Sequence, residues 1–470
     1  VSYSFDATTR LKQLKPARFN WIADSDNTVV DGFLAHEVSS IVPEAITGDK
    51  DETKTTENVV LDVHENIIGS DVTEVDWLKG KVEGVYDSNS TWKSTITQKH
   101  YQQIEVSTNG QVSGRRNLMY NGNFQCWQRS TNVTGLGAAS GYFTADRWRI
   151  NLGDASAGRF TMTRTAGDPD GFNYGLVINC TTADTSIAAG EQLRITQRFE
   201  GQDLQHLKKG TSGAETTTIS FYAKIVGSAT DFVVELQDND NTRSISKIFT
   251  FTTDWVRYYW TIPGDTTGAL DQDTAMSMTL NFWLHSGSNH TSGTLNTDWN
   301  SRTNANVAAG IDSIFASTSN EFYLAGVQWE VGSVATNFEH RSFGEEFDLC
   351  LRYYEKSSAY GVAEDSTAGP NIYGVVGMAG SDSSVGNNDA AMIHWQKSKR
   401  AAPTLVFYDA AGNSGKLSYA EAGVGRADNI AIRSSNTGVN RSRIGTAGAS
   451  SLDAGEAVEM LFQYTADSEL

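Results

Sequence analysis

The chain has 470 residues and a formal net charge of −19 at neutral pH, with 39% hydrophobic and 10% aromatic residues. This hydrophobic content is sufficient for folded cores and excludes a wholly disordered chain. No apolar run approaches the roughly 20 residues of a membrane-spanning helix, so we expect no membrane insertion. The acidic balance argues against nucleic acid as a partner, because nucleic-acid binders contact phosphates through basic surfaces.

Cysteine, glycine and proline usage narrows the fold class. The three cysteines, Cys126, Cys180 and Cys350, are far apart and no C-x-x-C motif occurs. This pattern predicts buried free thiols rather than a disulfide framework or a zinc site. The chain contains 43 Gly but only 6 Pro. Together with Thr-rich alternating segments, this indicates a mainly β protein with many tight turns, and no cofactor is predicted.

Residues 1–112 differ in pattern from the rest of the chain and predict a small α+β domain. Residues 6–14 predict a short helix that Pro16 stops, and residues 18–22 alternate like a strand. The charged run at 49–54 predicts a solvent-exposed loop.

Four sequence blocks stand out in this first domain: LKQLKPARFNW (11–21), GFLAHEV (32–38), VPEAI (42–46) and, more weakly, KHYQQI (99–104). They resemble the intramolecular chaperone domain of endosialidases and other phage tail spikes and fibres. In that family the domain helps a trimeric fibre fold and then cuts itself off through a Ser-Asp-x-Arg-x-Lys motif. This chain lacks the motif, so no catalytic residue is carried over and we expect no self-cleavage. The segment is then either a trimmed chaperone or one retained for trimer contacts.

The middle of the chain is rich in strand signals. Eight segments carry them: 159–164, 193–199, 219–225, 232–236, 248–251, 255–260, 278–284 and 322–331. This density predicts an antiparallel β-sandwich, most simply a jelly roll, over residues 113–355. The Asp-Asn-Asp-Asn segment at 238–241 predicts a hairpin turn. Its oxygens are also possible calcium ligands, although the EF-hand spacing is absent.

Two groups of motifs bracket this middle region. The blocks are RNLMYNGNF (116–124) and ADRW (145–148) near its start, and LAGVQWEVGS (324–333), TNFEHRSFGEE (336–346) and CLRYY (350–354) near its end. They resemble the opening and the close of jelly-roll modules in phage tail fibres, which are similar in architecture to carbohydrate-binding jelly rolls. Within them we expect Trp148 and Trp329 in the core rather than on a ligand platform.

The candidate ligand-binding segment is the polar, Gly-rich loop 285–310. It combines Trp299 and Asp298 with Asn289 and His290 near its start. Sugar recognition uses an aromatic face for C–H groups and carboxylate or amide groups for hydroxyls, so the loop predicts glycan binding. The alternative is a surface loop with Trp299 tucked beneath it. The overall negative charge favours a neutral glycan over a polyanion unless calcium bridges the two.

Residues 356–470 predict a C-terminal β domain that resembles fibre tips. Its strand candidates are 372–376, 392–395, 404–408, 430–432 and 458–464. The basic cluster at 397–400 predicts a solvent-exposed loop, since it is too short to indicate nucleic acid.

The sequence pairs no two carboxylates in the way a glycosidase requires and contains no G-x-S-x-G elbow, so we predict no enzyme. The two resemblances imply a homotrimeric phage virion appendage, a tail fibre or spike. Such a protein acts outside the host cell, on a host-surface glycan, with other virion tail proteins as partners. Two alternatives stay open: a structural head or neck fibre without a receptor role, and a surface-polysaccharide depolymerase.

Overall fold

In the computed structural model, the described residues are 116–470 without 155, 167–168, 362–372, 379–386, 422–424 and 448–456, together with six short strands before them. The six strands are β1 (Ala17–Asn20), β2 (Val29–Gly32), β3 (Val59–Leu61), β4 (Ile67–Ser70), β5 (Val85–Tyr86) and β6 (Trp92–Lys93). They pair as three antiparallel two-stranded sheets. β1 confirms a strand within residues 18–22, whereas the predicted helix at 6–14 and loop at 49–54 lie outside the described residues. The chain divides into two compact units, residues 1–113 and 114–470.

The second unit begins with a sandwich of two antiparallel sheets. Its strands are β7 (Asn132–Leu136), β8 (Gly141–Tyr142), β9 (Arg149–Leu152), β10 (Arg159–Ala166), β11 (Tyr174–Thr182), β12 (Gln192–Glu200), β13 (Thr217–Val226), β14 (Asp231–Asp238), β15 (Arg243–Thr250), β16 (Val256–Ile262), β17 (Met276–Ser286), β18 (Asn300–Ser301) and β19 (Glu321–Val331). One sheet has the order β16-β13-β19-β11-β10-β7, and the other β18-β15-β14-β17-β12-β9-β8. The predicted mainly β fold with an antiparallel sandwich is confirmed.

All eight predicted strands of this region are present. The sequence pattern missed the short strands β7, β8, β9 and β18, and the longer β11, where Leu176, Val177 and Ile178 form a continuous apolar run instead of an alternation. β11 lies between β10 and β19, inside the six-stranded sheet. A strand buried on both faces has no polar side to alternate with, which explains the missed signal.

The core fills the space between the two sheets and is rich in aromatic rings. Trp148 and Trp329 are 0% and 1% exposed, so the expectation that both are core residues is confirmed. Trp148 stacks on Phe124 with ring centroids 5.0 Å apart, and Trp329 meets Phe199 edge-on at 5.0 Å. The three cysteines are free and buried, as predicted.

The motifs that bracket the sandwich in sequence meet in space. The backbone amide of Asn117 donates to Glu339 at 2.6 Å, and that of Asn121 donates to Glu346 at 2.5 Å. Arg341 pairs with Glu346 at 3.3 Å. Glu346 belongs to the helix α2 (Phe343–Leu351), which follows the short helix α1 (Ser288–Thr291). The two ends of the region therefore close the sandwich together.

The hairpin predicted at 238–241 is confirmed, since it joins the paired strands β14 and β15. Asp238 accepts a hydrogen bond from the backbone amide of Asn241 at 3.0 Å and pairs with Lys209 at 2.5 Å. These contacts occupy the buried Asp238 carboxylate with protein donors.

The C-terminal part forms a further antiparallel sheet with its own apolar cluster. Its strands are β20 (Tyr354–Lys356), β21 (Tyr373–Met378), β22 (Asn387–His394), β23 (Thr404–Tyr408), β24 (Lys416–Glu421), β25 (Gly425–Ser435), β26 (Arg441–Ala447) and β27 (Ala457–Asp467). All five predicted strands are present, and β27 pairs with β20, β21, β23 and β24. Leu417, Ile444, Met460 and Phe462 lie in the cluster. The predicted boundary at 355/356 falls inside the second compact unit.

The expectation of a solvent-exposed loop at 397–400 is wrong for Lys399. Its side chain is buried, and Nζ lies 2.7 Å from the equally buried carboxylate of Glu355. Lys397 does reach solvent and pairs with Asp348. A buried ammonium group is tolerated here because an opposite charge and the carbonyl of Leu351 accept its hydrogens.

Arginines of the sandwich hold the end of the chain. The guanidinium of Arg147 lies 3.4 Å from the ring centroid of Tyr353 and pairs with Glu469. Arg129 reaches Asp467 at 3.1 Å and Glu469 at 3.4 Å. These ion pairs fix the C-terminal segment against the sandwich, and those with Glu469 are buried. Among the described residues, no helix has the length and apolarity needed to cross a membrane.

Candidate functional site

The outer face of the seven-stranded sheet carries an unusual set of polar side chains. Side chains alternate along β17, so Leu280 and Phe282 point into the core while Asn281 and Trp283 lie on the opposite side. We call this opposite side of β9, β12, β14 and β17 the outer face.

Strand register aligns polar residues across the outer face. Arg149 on β9 is paired with Thr196 on β12, Thr196 with Asn281 on β17, and Asn281 with Glu235 on β14. Neighbouring strands are about 4.8 Å apart, so these four side chains form one continuous row.

Hydrogen bonds connect the row. Asn151 donates to Thr196 at 3.1 Å, and Thr196 donates to Asn281 at 2.9 Å. Asn281 and the indole N–H of Trp283 both donate to Oε2 of Glu235, at 3.1 and 2.9 Å. All five residues are less than 9% exposed. A buried polar network whose members hydrogen-bond to one another is rigid, because breaking one bond leaves a buried polar group without a hydrogen-bond partner.

Arg302 balances the charge of Glu235. Its Nε donates to Oε1 of Glu235 at 2.8 Å, and its Nη1 donates to Asn304 at 2.7 Å. The Arg302 side chain is 13% exposed, whereas that of Glu235 is fully buried. The single carboxylate of the network therefore carries no uncompensated negative charge.

Arg194 and His290 cover the indole of Trp283. The Arg194 guanidinium carbon lies 4.6 Å from the Trp283 ring centroid, and the His290 ring lies 5.3 Å from it. Cation–π attraction fixes the Arg194 side chain over the ring. Burial lowers the pKa of His290, and the positive charges of Arg194 and Arg302 lower it further.

Three arginines of the outer face have no acidic partner. Within the part of the chain that the structure describes, no Asp or Glu side chain lies within 4.0 Å of Arg149, Arg194 or Arg198. Each carries one buried nitrogen that bonds no described protein atom: Nη1 of Arg149, Nε of Arg194 and Nε of Arg198. Arg198 donates through Nη1 to the main-chain oxygen of Leu470. Burial lowers the pKa values of Arg149 and Arg194, and the proximity of like charges adds to this.

The structure places Trp299 immediately before β18, which pairs with the start of β15. Its indole N–H donates to the carbonyl of Pro263 at 2.8 Å, and its half-buried ring packs against the main core. Arg243 donates to the Trp299 carbonyl at 3.1 Å. Asp298 is exposed beside it, and its carbonyl accepts from Asn300 at 3.1 Å.

The other two predicted residues lie on α1. Asn289 is exposed and its backbone amide donates to Ala189 at 2.9 Å, whereas His290 is buried against Trp283. The loop thus brings His290 to the outer face, while Trp299 packs beside Arg243 at the first residue of β15. A ligand role for the four residues remains a prediction.

Sequence reasoning missed the arginines and the network. The alternation in β12 predicts that Arg194, Thr196 and Arg198 share one face, and this signal was available. No sequence signal showed which residues lie beside that face, since Arg149, Asn281 and Glu235 come from other strands. Among the described residues, no group of three or more His, Cys, Asp or Glu side chains is placed to hold a metal ion.

No family model and no curated protein matches the chain. Solved structures resemble part of it. One is the enzymatically active domain of tailspike protein 4 of bacteriophage CBA120, at 12% identity and a TM-score of 0.22, over 39% of this chain and 19% of that chain. A family 4 carbohydrate-binding module has 14% identity and a TM-score of 0.24, over 45% and 97%. The family 11 module of Clostridium thermocellum, in complex with a mixed-linked tetrasaccharide, has 13% identity and a TM-score of 0.23, over 44% and 99%. The chain therefore spans about a fifth of the tailspike domain and nearly all of each module.

Proposed function

We propose that the sandwich binds a carbohydrate on its outer face, without catalysing a reaction. The observation that carries this proposal is the buried network from Asn151 to Glu235, which holds the half-buried side chains of Arg194 and Arg302 in place. Sugar hydroxyls both donate and accept hydrogen bonds, so planar guanidinium and amide groups on a rigid sheet suit them.

The rigidity of the outer face affects how tightly it can bind a small ligand such as a sugar. A binding face that is ordered before the ligand arrives does not lose side-chain freedom on binding, so more of the contact energy appears as affinity. A single sugar still offers few atoms, and we expect a dissociation constant on the order of millimolar per site. Several linked sites would raise the avidity by about 10²–10⁴.

The biological setting that we propose is a phage tail fibre or spike, acting outside the host cell as a homotrimer joined to other virion tail proteins. Support comes from the sequence blocks at 11–46 and from the motifs that bracket the sandwich. Those motifs share one structural role, because Asn117, Glu339 and Arg341 join the start of the sandwich to its end.

A glycan array probed with the full chain tests the binding proposal. We expect a defined group of oligosaccharides to bind, and adsorption to host cells to be competed by the same sugars. Arg194→Gln on the outer face and Trp299→Ala on the loop then locate the site. Loss of binding in Arg194→Gln alone supports the outer face, whereas loss in a folded Trp299→Ala variant alone moves the site to the loop. An array without any bound glycan contradicts the proposal.

Two further assays address the alternative functions. Release of reducing ends from host polysaccharide by the purified protein would make it a depolymerase rather than a binding protein. Gold-labelled antibody on whole particles would show the tail, the head or the neck as its position, and a head or neck position would contradict the tail assignment.

A further inference from the structure

Three arginines without a carboxylate side-chain partner lie together on the outer face. The chain has 56 acidic and 37 basic residues, and several arginines elsewhere in the second unit pair with carboxylates. Arg243 pairs with Asp265 at 2.7 Å, and Arg352 pairs with Glu200 at 2.6 Å. An excess of acidic groups makes such pairing easy to achieve. Arg164 and Arg257 also lack such a partner among the described residues, but Arg149, Arg194 and Arg198 share one face of the sheet.

Strand geometry concentrates their charge in one place. Arg149 is paired with Thr196 across β9 and β12. Arg194 and Arg198 lie two positions before and after Thr196 on the same face of β12. Each is therefore about 7 Å along the strand from Thr196, and Arg149 is about 5 Å to the side. The three side chains therefore start around Thr196; the guanidinium of Arg194 lies over Trp283 and that of Arg198 reaches the main-chain oxygen of Leu470.

Like charges held close together in partly dry surroundings repel one another. Burial and the charge of Arg198 lower the pKa of Arg149, which reflects this cost. A bound anion would relieve the repulsion by placing an opposite charge beside the guanidinium groups. Glu235 forms its ion pair with Arg302, although its negative charge also raises the pKa of Arg194 against the effect of burial.

We propose that Arg149, Arg194 and Arg198 bind the carboxylate of an acidic sugar within the glycan held on the outer face. This inference rests on the proposed carbohydrate-binding function and names its ligand class, a saccharide that contains a hexuronic or sialic acid. A guanidinium group matches a planar carboxylate through two parallel hydrogen bonds, which selects a carboxylate over a hydroxyl group. Gln237 on β14 lies on the same face, paired with Thr279 of β17, and its partly exposed amide is placed for the sugar hydroxyls.

The ligand class differs from the one that net charge indicates. A charge of −19 repels polyanions at long range, but this repulsion is screened over about 8–10 Å at physiological salt. Contacts at hydrogen-bond distance are governed by the local charge, which is positive above Thr196. At this face the local positive charge of the arginines therefore outweighs the net negative charge of the chain.

The test compares each acidic glycan with its own neutral form. Full-length protein is first applied to an array of hexuronic-acid, sialic-acid and neutral oligosaccharides. The acidic glycan that binds best is then titrated beside the same oligosaccharide after reduction of its carboxyl groups to alcohols. We expect carboxyl reduction to weaken binding by at least about tenfold. Binding of the acidic form should also weaken as the salt concentration rises.

Variants assign the effect to the arginines. Arg194→Gln and Arg149→Gln should each weaken binding of the acidic glycan by about tenfold and leave its carboxyl-reduced form nearly unaffected. The matched control is Arg164→Gln, on β10 of the other sheet, where the guanidinium stacks on Tyr174. It should bind like the wild type. Thermal melting identifies any unfolded variant, and Arg149→Gln provides the test if loss of the Trp283 contact unfolds Arg194→Gln.

The outcomes separate the two proposals. Equal binding of acidic and carboxyl-reduced forms, or a preference for neutral glycans, overturns the acidic-sugar inference and leaves carbohydrate binding intact. The absence of any bound glycan overturns both. A change of oligomeric state in Arg194→Gln or Arg149→Gln, without loss of the acid preference, would instead assign the arginines to a contact between copies of the chain and would also overturn the inference.

Discussion

At the scale of the residue, burial decides how an acidic group behaves in this protein. Asp146 is 1% exposed and its Oδ2 bonds no described protein atom. Burial raises the pKa of Asp146 to about 6, although Arg129, 3.5 Å away, and Gln128 oppose the shift. This value lies above the ~3.9 of an unfolded Asp. The native state therefore holds a proton that the unfolded state releases, and stability from this group is lost as the pH rises from about 4 to about 6.

We predict that Asp146→Asn removes this pH dependence. The amide keeps the shape of the side chain and an oxygen for the Gln128 amide, and it has no charge to desolvate. The free energy of unfolding of the variant relative to wild type should rise by up to about 3 kcal/mol between pH 4 and pH 7. Urea unfolding at four pH values measures it. Asp348→Asn is the exposed control, and a difference for Asp146→Asn that does not vary with pH would refute the shift.

At the scale of the element, the opening segment and β19 hold the sandwich closed by close backbone contact. Leu118 donates through its amide to the carbonyl of Trp329 at 2.8 Å, and Val327 donates to the carbonyl of Gly122 at 2.9 Å. A Cβ atom at Gly122 would lie 2.1 Å from the carbonyl oxygen of Val327. This approach requires glycine, since no side chain fits between the two backbones.

Gly122→Ala should therefore destabilise the sandwich by about 1–3 kcal/mol or more, because backbone atoms must move to admit the methyl group. Chemical unfolding of the full chain gives the value. Gly344→Ala is the matched control in α2, where an added Cβ meets no atom within 4 Å. Its helical position favours alanine by about 0.5–1 kcal/mol. Equal effects of the two substitutions would show that the close contact is not limiting.

At the scale of the whole molecule, we propose a trimer from the resemblance of two sequence regions to phage fibre proteins. The edge strand β16 of the six-stranded sheet exposes Tyr259 and Val256, which are 62% and 39% accessible. Apolar residues on an open sheet edge favour pairing with another chain, so assembly would protect this edge.

We predict that the protein is a homotrimer in solution. Light scattering after size exclusion should give about three times the chain mass of 51.1 kDa. The result should hold across a tenfold dilution if the assembly is obligate. A monomer at micromolar concentration would exclude the trimer and would leave avidity from linked sites without a basis.

Much of the fold follows from local sequence. Period-two alternation placed the strands around Phe282 on β17 and Ile195 on β12 correctly, because one buried face imposes that pattern wherever the strand lies. The same local reasoning failed for Lys399, whose burial depends on Glu355, 44 residues away. It also failed for β11, which is apolar on both faces, and for the short strands β7, β8, β9 and β18.

The sequence by itself determined eight strands of the sandwich and the burial of Trp148 and Trp329, since these depend on the apolar pattern of each segment. The tertiary structure decided which polar side chains on the outward faces of those strands become neighbours. Arg149, Thr196, Asn281 and Glu235 become neighbours only through the order β9-β12-β17-β14, in which each pairing joins strands distant in sequence. Alternation shows that a residue faces outward, but register with non-consecutive strands determines what stands beside it. For that reason an acidic chain can place a positive site on one face.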